Sequence, residues 1–419
     1  MLDRTTAPPF NRSTSFVLIE PQKERSKGGA ETYFILGGTQ EVSKVEVVFP
    51  AGRWVEKTWG AAYFTANLLS KGTRNKSSFE IAHLLDLYGA HLEIQAGLDY
   101  VSVSLYILNK NFQPAVALLL EMLTEAVLPQ NELDLLKSIY LQNLKVNFEK
   151  TSFLASRLIR KNLFGETHPY GREVEEADLG NINVGSLVEH YEMGFQKATL
   201  FVSGRVSDAN MAFIVSAFGS FGFNSIEPRN FVSNHVKHSR NVVRKEGSVQ
   251  SSIRFGKRAM SKLHSDYIDA LFLNHILGGY FGSRLMKNIR EDKGLSYGIS
   301  SSLHAMKNDS YLAIGADVNR ENLEMAFVEI CHELRRLRTE KVEAEELDIA
   351  RNHFIGSLQL EITTSFAHAD KIKNIVLFNL PFNYYQQLID RVGAIKSEDL
   401  IRIADTHFGE ETFLEIAVG

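Results

Sequence analysis

One cysteine, Cys331, occurs in 419 residues. An internal disulfide and any cysteine-based metal cluster are therefore excluded. Its setting, AFVEICHELRRL, is the apolar side of a helix, which predicts a core position for the thiol. An excess of charge is also missing. Lys and Arg number 46 against 50 Asp and Glu, a formal charge of -4, with no basic stripe to hold nucleic acid. Arg335, Arg336 and Arg338 read as a solvated helix face. No apolar run approaches the roughly 20 residues of a membrane span, and the opening MLDRTTAPPFNRSTSF has no apolar segment behind basic residues. The expectation is a bacterial cytoplasmic protein with an extended arm at Pro8 and Pro9.

At 44% hydrophobic content, this length can fill two full cores. An internal repeat shows how they divide. Residues 60–72, GAAYFTANLLSKG, align with 267–279, YIDALFLNHILGG, and the stretch from Tyr100 aligns with that from Tyr311. NELDLLKSIYLQNL from Asn131 pairs with EELDIARNHFIGSL from Glu345, and the halves end in ATLFVSG and TFLEIAVG. VSVSLYI and SYLAIGADV alternate as half-buried strands do, whereas FQPAVALLLEMLTEAV and LEMAFVEICHELRRLR carry apolar residues at helical spacing. The pattern predicts an α+β fold made of two similar layer sandwiches, each an antiparallel-rich sheet backed by helices. Their expected bounds are 1–221 and 241–419, with a polar connector at 222–240. His235 and His238 form H-x-x-H in that connector, but without a third ligand at useful spacing they read as solvated.

Several strings carry more than architecture. Helix 60–73, GAAYFTANLLSKGT, presents Tyr63, Ala66 and Asn67 at its polar positions, and the later helix ELDLLKSIYLQNL presents Gln142 and Asn143. FGETHPYGR follows at 164–172, and GGYFGSRLMKNIREDKGLSYGISSS at 278–302. Gly278, Gly279 and Gly282 lack the Gly-Lys-Ser/Thr ending of a phosphate loop and follow a helix, so they read as a permissive loop. His168, in the Pro-Tyr-Gly turn, reads as structural. By residue type alone, Arg290 and Tyr297 are an arginine near a helix end and a tyrosine in a strand.

Taken together, these strings resemble the pitrilysin (insulinase) family of zinc peptidases, in particular its paired-subunit processing-peptidase branch. Catalytic members carry His-x-x-Glu-His where this chain has Tyr63, Ala66 and Asn67, and a third ligand, a glutamate, where it has Asn143. Two imidazoles one turn apart chelate zinc and the carboxylate activates its water; a phenol, a methyl and an amide cannot. The resemblance implies two similar domains arranged as a clam shell. It further implies that Arg290 and Tyr297 act on a substrate carbonyl from the noncatalytic side of a chamber, and that the stretch with Gly278, Gly279 and Gly282 handles substrate. The implied partner is a homologous subunit that holds the zinc, and the implied ligand an extended peptide gripped by a strand edge expected to be the partner's. The alternative is an inert structural core or peptide-binding subunit of the same fold. An active metallopeptidase with a relocated site is the weakest reading, since the thirteen histidines show no second i, i+4 pair flanking an acid.

Overall fold

A computed structural model describes residues 15–221, 229–232 and 238–419. The Pro8–Pro9 arm, His235 and most of the expected connector lie outside the described residues. The first half contains β1 (Gln22–Arg25), β2 (Glu31–Leu36), β3 (Val42–Phe49), α1 (Ala61–Leu68), α2 (Ser78–Tyr88), β4 (His91–Ala96) and β5 (Val101–Leu108). It continues through α3 (Phe112–Thr124), α4 (Gln130–Phe148), α5 (Thr151–Phe164), α6 (Val184–Gly194), β6 (Thr199–Gly204) and α7 (Asp208–Ala217). The second half runs β7 (Ser239–Val243), β8 (Gln250–Arg258), α8 (Tyr267–Asn274), β9 (Ser296–Ala305), β10 (Ser310–Asn319) and α9 (Leu323–Thr339). It closes with α10 (Ala344–Leu360), α11 (Ser365–Leu377), α12 (Tyr384–Ala394), α13 (Ser397–His407) and β11 (Leu414–Val418). Residues 239 and 240, expected in the connector, already belong to a strand because β7 pairs in parallel with β11.

The strands form two sheets, ordered β1-β2-β6-β3-β5-β4 and β7-β11-β8-β10-β9. Both are antiparallel apart from the β2–β6 and β7–β11 pairs. Alternation decides which face each side chain takes. Along β10, Leu312, Ile314, Ala316 and Val318 enter the core under α8, α9 and α13, while Tyr311, Ala313, Gly315 and Asp317 face the other way. Along β3, Val45, Val47 and Phe49 enter the corresponding core of the first half.

Each sheet has its second face crossed by a helix from the other half. Helix α5 lies on β8 and β11, joining Ala155, Ile159 and Leu163 to Leu414, Ile416 and Val418. Gly256 makes this approach possible, since a Cβ there would meet Ile159 Cγ1 at 2.5 Å. In return α11 lies on β2 and β6, where Ala369 and Ile372 pack with Tyr33, Ile35, Val48 and Phe201. Beside them Glu46, buried, accepts from Lys44 at 2.9 Å and Lys373 at 2.7 Å, so the charged ring of this crossing is paired.

Two expectations change in detail. Cys331 is half-buried against the second core rather than enclosed by it, and burial followed by Glu415 pushes its thiol up to about 11. The Arg335, Arg336 and Arg338 face is not merely solvated. Arg335 and Arg338 reach Glu410 at 3.2 and 2.8 Å, pinning α9 to the segment before β11, while Arg336 reaches Glu333 of its own helix at 3.1 Å.

Candidate functional site

Helix α1 starts at Gly60, whose φ of 94° suits a residue without a side chain. Glu56 Oε2 accepts from the Ala62 amide at 3.1 Å and so satisfies one of the free N–H groups at the helix start. The inward side of α1 is filled by rings. Tyr63 packs on Tyr140 of α4 at 5.2 Å and on Phe64 at 5.3 Å. Ala66 is fully buried, and Asn67 donates through Nδ2 to the Tyr63 carbonyl at 2.8 Å. Asn143 and Gln142 sit exposed on α4. A zinc ion does not fit this donor set. Burial raises the Tyr63 phenol above its usual range, the Asn67 amide is tied to its own helix, and Ala66 offers no donor. Among the described residues no group of three or more His, Cys, Asp and Glu could hold a metal ion.

The second half presents a different surface. After α8 the chain winds as a π-helical turn, His275–Gly279, and after a short loop as a second, Met286–Asp292. Such turns are uncommon and cluster at functional sites. Gly278 leaves helical geometry because β9 comes too close for a side chain: a Cβ would meet the Ser301 amide nitrogen at 2.7 Å. Gly279 lies against His275, and Gly282 against Tyr280. The Tyr280 ring stacks on His275 and packs on His353, both at 4.7 Å, which fixes the loop that carries the next residue, Phe281.

Arg290 lies on the second turn, and Tyr297 follows at the start of β9. The structure brings the two together: the Arg290 guanidinium is 5.0 Å from the Tyr297 ring centre and 4.8 Å from that of Phe281. Cation–π attraction to both rings therefore holds it. Among the described residues Arg290 has no ion pair or hydrogen bond. Tyr297 is 90% exposed and Phe281 59%. Phe281 was not singled out from sequence, although a large apolar residue in a glycine-rich loop is a usable signal. The other motif residue, His168, is structural: its Nδ1 accepts from the Tyr170 amide at 3.1 Å, and its ring packs on Phe164 and Trp54. Tyr170 donates to Asp99, and Asp99 accepts from the Lys307 amide at 3.0 Å, so this turn joins hairpins of both halves.

Comparison with known proteins agrees with this architecture. Residues 37–174 match the family described as Insulinase (Peptidase family M16), and residues 191–354 match Peptidase M16 inactive domain. The chain belongs to the M16 peptidase family, and Tyr63, Ala66, Asn67 and Asn143 stand on its α1 and α4 where the resemblance places the zinc motif. It is 24% identical to a Bacillus subtilis protein described as an uncharacterized zinc protease, YmxG, over 85% of this chain and 88% of that one. It is 22% identical to a Helicobacter pylori protein described as a non-peptidase homolog, YmxG, over 83% and 82% of the two chains. A crystal structure described as a peptidase M16 inactive domain from Pseudomonas fluorescens superposes with a TM-score of 0.87 at 21% identity, covering 95% of this chain and 98% of that one. A protease from Helicobacter pylori superposes with a TM-score of 0.86 at 17% identity, covering 96% and 100%. At these identities the structural likeness shows the fold. No described helix is long and apolar enough to cross a membrane.

Proposed function

We propose that this chain is the noncatalytic subunit of a two-subunit zinc endopeptidase. A homologous partner with His-x-x-Glu-His would hold the zinc, and this chain would present Arg290 and Tyr297 to an extended peptide across a shared chamber. The observation that carries this reading is the Arg290–Tyr297 pair itself. A guanidinium with no ion pair among the described residues and a phenol 90% exposed contribute little to the stability of this chain, and both are open to an outside acceptor. A guanidinium donates to peptide carbonyls with fixed geometry, and a tyrosine hydroxyl donates to a carbonyl oxygen as it becomes negative. The glycine-bearing loop 278–282 would border the peptide path.

The name of the Helicobacter pylori relative, a non-peptidase homolog, supports the competing reading of an inert core or peptide-binding subunit. Co-purification of the tagged chain with its native partner, followed by elemental analysis and turnover of unfolded peptides, separates the two. The first reading expects about one zinc per complex, cleavage only by the complex, and loss of turnover in Arg290→Ala with Tyr297→Phe. Full turnover by that double variant would remove the assigned role.

A further inference from the structure

Helix α5 covers only part of the second sheet's open face. Beside it the small residues Gly298, Ser300, Ala313 and Gly315 leave a cavity of about 360 Å³. That lies near the lower end of the roughly 300–1,000 Å³ of small-ligand pockets, large enough for about one amino-acid residue. Two guanidiniums line it from different elements, Arg254 of β8 and Arg160 of α5.

Neither has a carboxylate to itself. Arg254 lies flat over Gly315, where a Cβ would meet its Nη1 at 3.2 Å. Its Nε donates to Ser156 Oγ at 3.0 Å and its Nη1 to the Ile253 carbonyl at 2.7 Å, both neutral acceptors. The nearest carboxylate, Asp317, stays 3.8 Å away and accepts from Ser252 Oγ at 2.6 Å. Nη2 of Arg254 has no partner among the described residues. Arg160 donates through Nη2 to Glu173, which Arg53 also reaches at 3.1 Å, and its Nε is buried with no partner. Burial pulls the Arg254 pKa below the usual guanidinium range, with Asp317 opposing. A guanidinium withdrawn from water without its own counter-ion gains most from an incoming anion.

The remaining lining selects among anions. Ser300 and Ser302 offer hydroxyls, and His304, stacked on Tyr311 at 4.6 Å, has its pKa lowered by burial and then by Arg160. Asp317 at the rim and Glu173 behind Arg160 oppose a dianion, whereas a single negative charge with two coplanar oxygens matches a guanidinium fork. We propose that this cavity binds the carboxylate of a peptide residue, either the C-terminal carboxylate or the side chain of Asp or Glu. The site lies wholly within this chain, so it does not depend on a zinc-bearing partner.

The test is calorimetric titration of the full chain with three probes: acetyl-Ala-Ser-Ala with a free C-terminus, the same peptide as its amide, and acetyl-Ala-Ser-Asp amide. At least one carboxylate-bearing peptide is expected to bind tenfold or more tightly than the neutral amide, with the advantage lost in Arg254→Gln. Which peptide wins identifies the source of the carboxylate. Equal affinity for all three, no binding by any, or an unchanged preference in a folded Arg254→Gln protein would overturn the assignment. The comparison among peptides uses the unaltered chain, so it decides the matter even if the variant does not fold.

Discussion

The two halves turn from a helix into an edge strand in the same way and put different chemistry there. In the first, α2 ends at Gly89 with φ of 60° and the chain enters β4; in the second, the π-helical turn Met286–Asp292 is followed by Gly294 with φ of 62° and the chain enters β9. Four residues before each glycine stand Leu85 and Arg290, and three residues after it stand Leu92 and Tyr297. The leucines pack against the first core, whereas the arginine and tyrosine meet each other at the surface. The fold can thus be built with apolar residues at both steps. On the function proposed above, what the second half has in their place serves a substrate rather than its own stability.

Copying the first half onto the second breaks or upholds that argument most sharply. The double variant Arg290→Leu with Tyr297→Leu is expected to keep its urea midpoint, with a stability change within about 1 kcal/mol, as exposed sites usually allow. Turnover of the proposed complex with a zinc-bearing partner is expected to fall by roughly 10²–10³, the usual cost of removing a preorganised donor to an oxyanion. Lost stability with unchanged turnover would invert the comparison and make the pair a structural device.

The starts of the paired helices α1 and α8 differ next, and pH separates them. At α1 the carboxyl of Glu56 is buried, with Oε1 unpartnered, and burial pushes its pKa up to about 7 from 4.5. The folded state therefore holds a proton that the unfolded state has released. This contribution is full below pH 4.5 and is lost as pH rises through about 7. At α8, Asp266 accepts from His407 at 3.0 Å, and this bond, with Arg402 beside it, holds its carboxyl below the usual range. That contribution is present above pH 3.8 and is lost as pH falls below it. Glu56→Gln imitates the protonated acid. It is expected to match the parent near pH 4 and to exceed it by at most about 3 kcal/mol near pH 8 in chemical denaturation. Parallel curves for the two proteins would show that Glu56 does not titrate near neutrality.

Leu85→Arg makes the reverse substitution, placing the second half's residue in the first, and is expected to cost about 1–3 kcal/mol by urea titration because Leu85 packs on a core. A cost below the error of that titration would mean that the two steps are interchangeable surface positions. The resemblance alone marked Tyr63, Asn67 and Asn143 as zinc-ligand positions and Ala66 as that of the water-activating carboxylate, whereas the repeat and the strand-to-helix order were legible in the sequence because each is a matter of period. The exchange of α5 and α11 was not, since periodicity marks an apolar face without naming what covers it. For the same reason Cys331 looked enclosed and Arg335 and Arg338 looked free: their partners Glu415 and Glu410 lie far along the chain. The close approach of β9 at Gly278 escaped as well, because it depends on Ser301, which lies outside the local sequence.

Phe281 gives the smallest effect and refines the comparison, because it touches the pair without belonging to it. Its ring lies 4.8 Å from the Arg290 guanidinium, and an exposed contact of this kind contributes about 0.5–1 kcal/mol. Phe281→Ala frees the arginine to sample other rotamers but leaves its charge and Tyr297 in place. Turnover of the complex is expected to fall about twofold to fivefold, and Phe281→Tyr is expected to restore it. Because what is lost is orientation, the fall belongs in the turnover number rather than in peptide affinity. A fall confined to affinity would mean that the ring contacts the peptide directly, and the arginine would then be positioned by Tyr297 alone.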